Sequence, residues 1–288
     1  VIRNEIFRYA LLLLVLPGTI YAQKKPDIKK ILDEFGTTAR AYLLSANRPS
    51  YNVSAYTTQK NHLSIDAGIV FNNEIYEFPF DIGYGITNRF EAFGGMAVYT
   101  QSYNFSGTKI GGAGDGYFGV RYRFQESEHF LHAFQSAVKI PLASSNTGLG
   151  TGLVDFHFGV AEVFVYKKFS YDMSAEINFL RRRNFPYIRD DLPKFLKDII
   201  DSIKQSYDYK FEPEFAFSLS PGFEVSQKIY VYAGASFSRN FRLDYNSAQV
   251  FTGWGLAVSD KVSLSLGGSY GLTKSSGWIL STAISILI

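Results

Sequence analysis

The chain has 288 residues, no cysteine, a formal net charge of +3 and a mean hydropathy of -0.04. These values exclude disulfides, thiolate metal centres and a lipidated cysteine anchor, and they offer no basis for nucleic-acid binding. No uninterrupted apolar run reaches the roughly 20 residues of a spanning helix, yet aromatic residues make up 17%, with 26 Phe and 20 Tyr against 2 Trp.

Residues Val1–Ala22 read as a secretory signal peptide. Arg3 and Arg8 precede the apolar core Ala10–Leu16, Pro17 and Gly18 break it, and Ala22 is a small residue before Gln23. Residues 23–60 form a separate zone, either a periplasmic leader or a segment that folds back as a partial plug. Ile28, Ile31, Leu32 and Phe35 recur there at helical spacing,.

From residue 61 onward the periodicity changes to two. His62–Phe71 carries Leu63, Ile65, Ala67, Ile69 and Phe71 on one parity, with Asp66 on the other. In Ile75–Ile86, Tyr76, Phe78, Phe80, Ile82, Tyr84 and Ile86 alternate with Glu77, Pro79, Asp81, Gly83 and Gly85. Side chains alternate across a strand, so each such run has an apolar face and a polar or small face. Phe90–Tyr99 follows, and neither of its parities is polar enough to assign. Tyr103–Gly112 reads as a Gly-rich loop.

Gly116–Phe124 sets Phe118, Val120, Tyr122 and Phe124 against Tyr117, Gly119, Arg121 and Arg123. Phe130–Ile140 repeats the device, with Lys139 on the polar parity. After the loop Pro141–Gly152, the strand Leu153–Tyr166 places Phe156, Phe158 and Phe164 opposite Asp155, His157 and Gly159. Phe169–Leu180 does the same, with Asp172 and Glu176 among its polar positions.

Arg181–Lys210 interrupts the pattern. Leu192, Phe195, Leu196, Ile199, Ile200 and Ile203 describe one amphipathic helix over residues 190–205, with Pro193 in its first turn,. It is expected to cover a loop or the barrel mouth, or else to act as a gate or a lipid-surface element. Strands resume at Phe211–Phe223, Ile229–Phe237, Gln249–Val258, Lys261–Leu272 and Gly277–Ile288.

The reading is all-β: a transmembrane antiparallel up-and-down barrel of about 12 strands, an even number of the kind bacterial barrels use. It comprises a signal peptide (1–22), a leader or partial plug (23–60) and the barrel (61–288). Loop lengths sort by side. Short turns near Asn88, Glu126, Lys167, Gln227 and Asp260 alternate with mostly longer loops. Since periplasmic turns of such barrels are short and outer loops long, both termini are expected in the periplasm of a Gram-negative cell.

Several stretches carry a resemblance. Asn47-Arg48-Pro49-Ser50, the hairpin Asp81–Glu91, the strand Asp115–Phe124, then Val138-Lys139-Ile140-Pro141 with Gly148–Gly152 and Asp155, are similar to the outer-membrane transporters named for the MetA pathway of phenol degradation. The likeness covers roughly Asn47–Val160. It implies an outer-membrane barrel that takes up hydrophobic or aromatic compounds, and no catalytic residue travels with it.

If the apolar parity faces lipid, the lumen receives charged candidates of both signs: Asp81, Asp115, Arg121, Arg123, Lys139, Asp155, His157 and Glu176. They are a selectivity lining in a wide pore and salt-bridged filling in a narrow one. The expected function is passive diffusion of small hydrophobic or aromatic molecules across the outer membrane. The partners are outer-membrane lipids and the solute, with no nucleic acid. The alternative is a structural or surface-interaction barrel with a filled lumen. A lipid-modifying enzyme is the lesser rival: no Gly-x-Ser-x-Gly elbow appears and His157 falls on the lumen parity. Neither catalytic residues, cofactor nor metal site are expected, since the four histidines are scattered.

Overall fold

The computed structural model describes residues 54–72, 76–103, 109–143, 153–181, 211–241, 245–273 and 277–288. The signal peptide (1–22), most of the 23–60 zone and the helix expected at 190–205 lie outside the described residues.

The alternating segments form twelve strands: β1 (Leu63–Asn72), β2 (Tyr76–Gly85), β3 (Phe90–Tyr103), β4 (Lys109–Glu126), β5 (Phe130–Ile140), β6 (Asp155–Tyr166), β7 (Phe169–Arg181), β8 (Phe211–Ser226), β9 (Ile229–Asn240), β10 (Tyr245–Ala257), β11 (Val262–Gly271) and β12 (Trp278–Leu287). Each pairs antiparallel with its sequence neighbours, and β1 pairs with β12, so the sheet closes into a barrel. Closure leaves no edge strand, which is the condition for a sheet to stand in lipid. Even the shorter strands have 10 residues, the length that crosses a bilayer at a tilt.

The period-two pattern decides which face is which. On β4, Phe118 is 55% exposed while Arg121, three residues away on the other parity, is 2% exposed. Large apolar side chains stand on the outer surface of every strand, whereas most of the buried charged groups point inward. This is a protein core turned inside out: apolar wall outside, polar interior, as a hydrocarbon surround demands. Around the short-turn end, Tyr122, Phe124, Tyr166 and Phe169 form part of an exposed aromatic belt.

The hairpins at 86–89, 127–129, 167–168, 227–228 and 258–261 share one end of the barrel, where β1 begins and β12 ends. This is the short-turn end. The strand ends Ile140, Asp155, Arg181 and Phe211 are at the opposite end.

Two boundaries differ from expectation. The Gly-rich stretch Tyr103–Gly112 is not all loop: β3 runs to Tyr103 and β4 starts at Lys109. Ladder hydrogen bonds need no side chain, and register shifts between Met96 and Val98 and between Tyr99 and Ser102 absorb the irregularity,. The facing of β3 is also settled. Glu91 is fully buried towards the interior and Phe93 lies beside it under the Arg121 guanidinium, 5.2 Å from ring centroid to carbon. An aromatic on the lumen side is why neither parity of this strand looked polar.

Candidate functional site: the lumen

The interior has two unlike walls. The first, on β2–β6, carries charge in layers. Nearest the short-turn end, Arg123 donates to the Asn88 carbonyl and lies 3.7 Å from the Glu126 carboxylate. One step up, Arg121 donates to Glu91 at 3.1 Å and to the Gln135 carbonyl oxygen at 2.7 Å. Further up, the Tyr117 hydroxyl donates to Asp81. At the far end, Lys139 lies between Asp155 at 2.5 Å and Asp115 at 3.4 Å. His157 Nδ1 is 2.9 Å from Asn178 Oδ1, one strand further round. Glu176 is on β7, paired with Gly159 and Ala216, diagonal to Glu214.

Arg121, Arg123, Lys139, Asp155 and His157 therefore do not form one cluster. The register pairs Arg121 with Gln135, Arg123 with Ala133, and Lys139 with both Tyr117 and Asp155, so the two arginines lie in successive layers towards the short turns and the other three residues lie towards the far end. Each finds a partner at its own level, as charge inside a narrow space requires. Lys139 is the one cation between two acids there. Lys139→Glu is expected to move the reversal potential measured in a salt gradient toward cations, by turning that site into three carboxylates. An unchanged reversal potential would mean that permeating ions do not meet this layer.

The second wall, on β9–β12, is built mainly of glycine, serine and aromatic rings, with Asn240 at its far end beside the buried Glu212 of β8. Tyr232 reaches sideways from β9. A Cβ on Gly253 would stand 2.4 Å from its hydroxyl oxygen, and one on Gly267 2.9 Å. The ring thus lies flat along β10 and β11 in a groove that only glycines leave open. Tyr230 reaches the other way over Gly222 to share a 2.6 Å hydrogen bond with Ser170. Phe251 covers Gly234. The rings take up the room that side chains would need at those glycines.

The described end of the 23–60 zone lies in the short-turn mouth, and which of its residues the barrel holds was not legible in the sequence. Ser54, Ala55, Tyr56, Thr57 and Thr58 are all buried inside the barrel. The Glu91 carboxylate accepts from the Thr58 amide and hydroxyl, both at 3.2 Å. Arg121 donates to the Tyr56 carbonyl at 3.0 Å, and Thr57 donates to the Asn88 carbonyl at 2.9 Å. The Tyr56 side chain packs on Ala133, Ala161 and Val163 of β5 and β6. Gly85 lets the segment pass: a Cβ there would stand 1.9 Å from the Gln59 carbonyl oxygen. The signal available in the sequence was the pair Gly83 and Gly85 at the end of a strand of large alternating residues, a mark of close backbone approach.

A closed barrel with an apolar outside and a charged, hydrogen-bonding inside defines a transmembrane β-barrel. No family model matches the chain and no curated protein matches it by sequence. Solved structures do match the fold. The COG4313 outer membrane channel from Pseudomonas putida F1 aligns over 85% of this chain and 100% of its own, at 10% identity and a TM-score of 0.57. The NanC porin aligns over 78% and 98%, at 11% identity and 0.52. The KdgM porin aligns over 77% and 98%, at 6% identity and 0.52. At such identities the likeness is one of fold.

Proposed function

We propose that the protein is an outer-membrane channel that passes small amphipathic solutes, aromatic ones foremost, down their gradient. The observation that carries this reading is the contrast between the two lumen walls. A ring stacks against Tyr230 and Tyr232 while its polar substituent faces Lys139. The porins and channels of like fold support the transport class, and the resemblance to the phenol-degradation transporters supports the solute class. A catalyst is disfavoured, because no nucleophile stands beside His132 or His157 among the described contacts. Both chain ends lie on the periplasmic side in this reading, with the short turns.

The buried segment Ser54–Thr58 favours a refinement. It acts as a plug at the periplasmic mouth, and solute passes when it moves. The same burial is what a filled structural barrel would show, so transport itself is the discriminating measurement. The full chain is reconstituted into liposomes and swelling is followed in 4-hydroxybenzoate and in hexanoate. Faster swelling in the aromatic solute is expected, and Tyr232→Ala is expected to remove most of that preference. Equal rates in the two solutes would sink the aromatic reading; no swelling in either would leave the structural barrel.

A further inference from the structure

The outer wall carries a feature that transport does not use. His132 on β5 and Glu162 on β6 are direct cross-strand partners. They lie on the lipid-facing parity, one step from Phe130 and Phe164 on one side and from Phe134 and Val160 on the other. Their neighbours Ala133, Ala161 and Val163 are the inward residues that seat Tyr56, so the outward direction of this pair is fixed. The imidazole Nδ1 lies 3.2 Å from a Glu162 carboxylate oxygen.

Ionisable groups on a lipid face are costly, roughly 2–4 kcal/mol for a basic residue at the midplane, and the cost fades towards the interfaces. Here two face each other at one level. They are shielded: His132 is 5% exposed and Glu162 4%. The rings of Phe124 and Phe130 stack on the imidazole, each with centroids 6.0 Å away. Shielding has not satisfied them: His132 Nε2 is buried without a hydrogen bond, and the Glu162 oxygen that faces Nδ1 makes an ion-pair contact only. An unpartnered ring nitrogen beside a carboxylate with acceptor capacity to spare, both in an apolar wall, calls for a ligand that supplies both complements.

Position selects the ligand. His132 stands two residues above the start of β5 at the short-turn hairpin, about 5–7 Å along the strand. That is the depth at which headgroups give way to acyl chains. At the edge below, the Lys167 ammonium sits over the Tyr166 ring at 5.3 Å, the usual dress of an interface. Phe124, which covers the imidazole, is itself 50% exposed and free to swing aside.

We infer that His132 and Glu162 bind the headgroup of one phospholipid that carries a primary ammonium beside its phosphate. The ammonium donates to the Glu162 carboxylate. The phosphate accepts from His132 Nε2–H. The acyl chains run up the wall over Phe134 and Phe158. An anionic lipid without an ammonium has nothing to donate to the carboxylate. A quaternary ammonium has no N–H to give it.

The test uses the full chain in neutral detergent, with native mass spectrometry after adding phosphatidylethanolamine, phosphatidylglycerol or phosphatidylcholine of matched acyl chains. One molecule of phosphatidylethanolamine is expected to be retained several-fold more than either other lipid. The double variant His132→Phe/Glu162→Leu is expected to bring its retention down to the phosphatidylcholine level without loss of thermal stability, because apolar replacement of a buried pair is commonly neutral or stabilising. Equal retention of the three lipids overturns the inference, and that comparison needs no variant. So does retention that survives the double substitution, or a dimer that the double substitution abolishes, which would assign the pair to contact between two copies of this chain.

Discussion

Gly85→Ala is expected to open the channel. The added methyl would occupy the space of the Gln59 carbonyl, 1.9 Å from its oxygen. That contact is to backbone, which no rotamer change relieves, so the segment must leave. The barrel strand itself tolerates alanine: β2 keeps its pairing, with Gly85 opposite Glu91 on β3. The Asn61 amide loses its 2.7 Å bond to the Gly85 carbonyl as the chain peels back. Single-channel conductance of the full chain in a planar bilayer should rise several-fold over the parent, or change from silence to discrete steps. Identical traces for parent and variant, with both proteins folded, would show that Ser54–Lys60 does not limit the path.

Glu91→Leu is expected to cost more in stability than other single changes at this mouth. Glu91 is fully buried and joins three things: the Arg121 guanidinium, the Thr58 amide and the Thr58 hydroxyl. Removing the carboxylate leaves a buried guanidinium without its counter-charge, a loss of about 3–5 kcal/mol. Urea unfolding of the barrel in phospholipid vesicles reads it directly. The double variant Glu91→Leu/Arg121→Met should recover most of the loss, since it removes both charges together. If the double variant were as unstable as the single one, the cost would belong to the Thr58 contacts and not to the ion pair.

These two experiments bear on different links. The first displaces the segment by sterics and leaves every lumen charge in place. The second removes the charge that holds it. An effect on conductance in both, with an effect on stability only in the second, is the pattern expected of a plug latched by Glu91.

Much of the wall was legible in the sequence. Tyr76–Gly85 and Gly116–Phe124 alternate so cleanly that their outer faces follow from periodicity, and the short hairpins at 127–129 and 167–168 announce themselves by composition. The two exceptions were informative. Phe93 hid the facing of β3 because a lumen aromatic mimics a lipid-facing one. Glu162 interrupts the apolar parity Phe156, Phe158, Val160, Phe164, and His132 sits between Phe130 and Phe134. Each looks like noise in one strand and becomes a pair only when the β5–β6 register sets them opposite each other.

What the sequence determined by itself was the barrel: the class, the twelve strands, and which parity faces outward. The reason is that a strand's two faces meet two different solvents, and alternation along ten residues records that contrast locally. What only the tertiary structure decided was which charges meet. Arg121 pairs with Glu91 across the β3–β4 register, Lys139 with Asp155 and Asp115 at another level, and the Tyr56 segment enters the mouth over Gly85. Those contacts join residues 16 to 30 positions apart in the chain. Their geometry is set by register, shear and closure, which leave no periodic trace in any one strand.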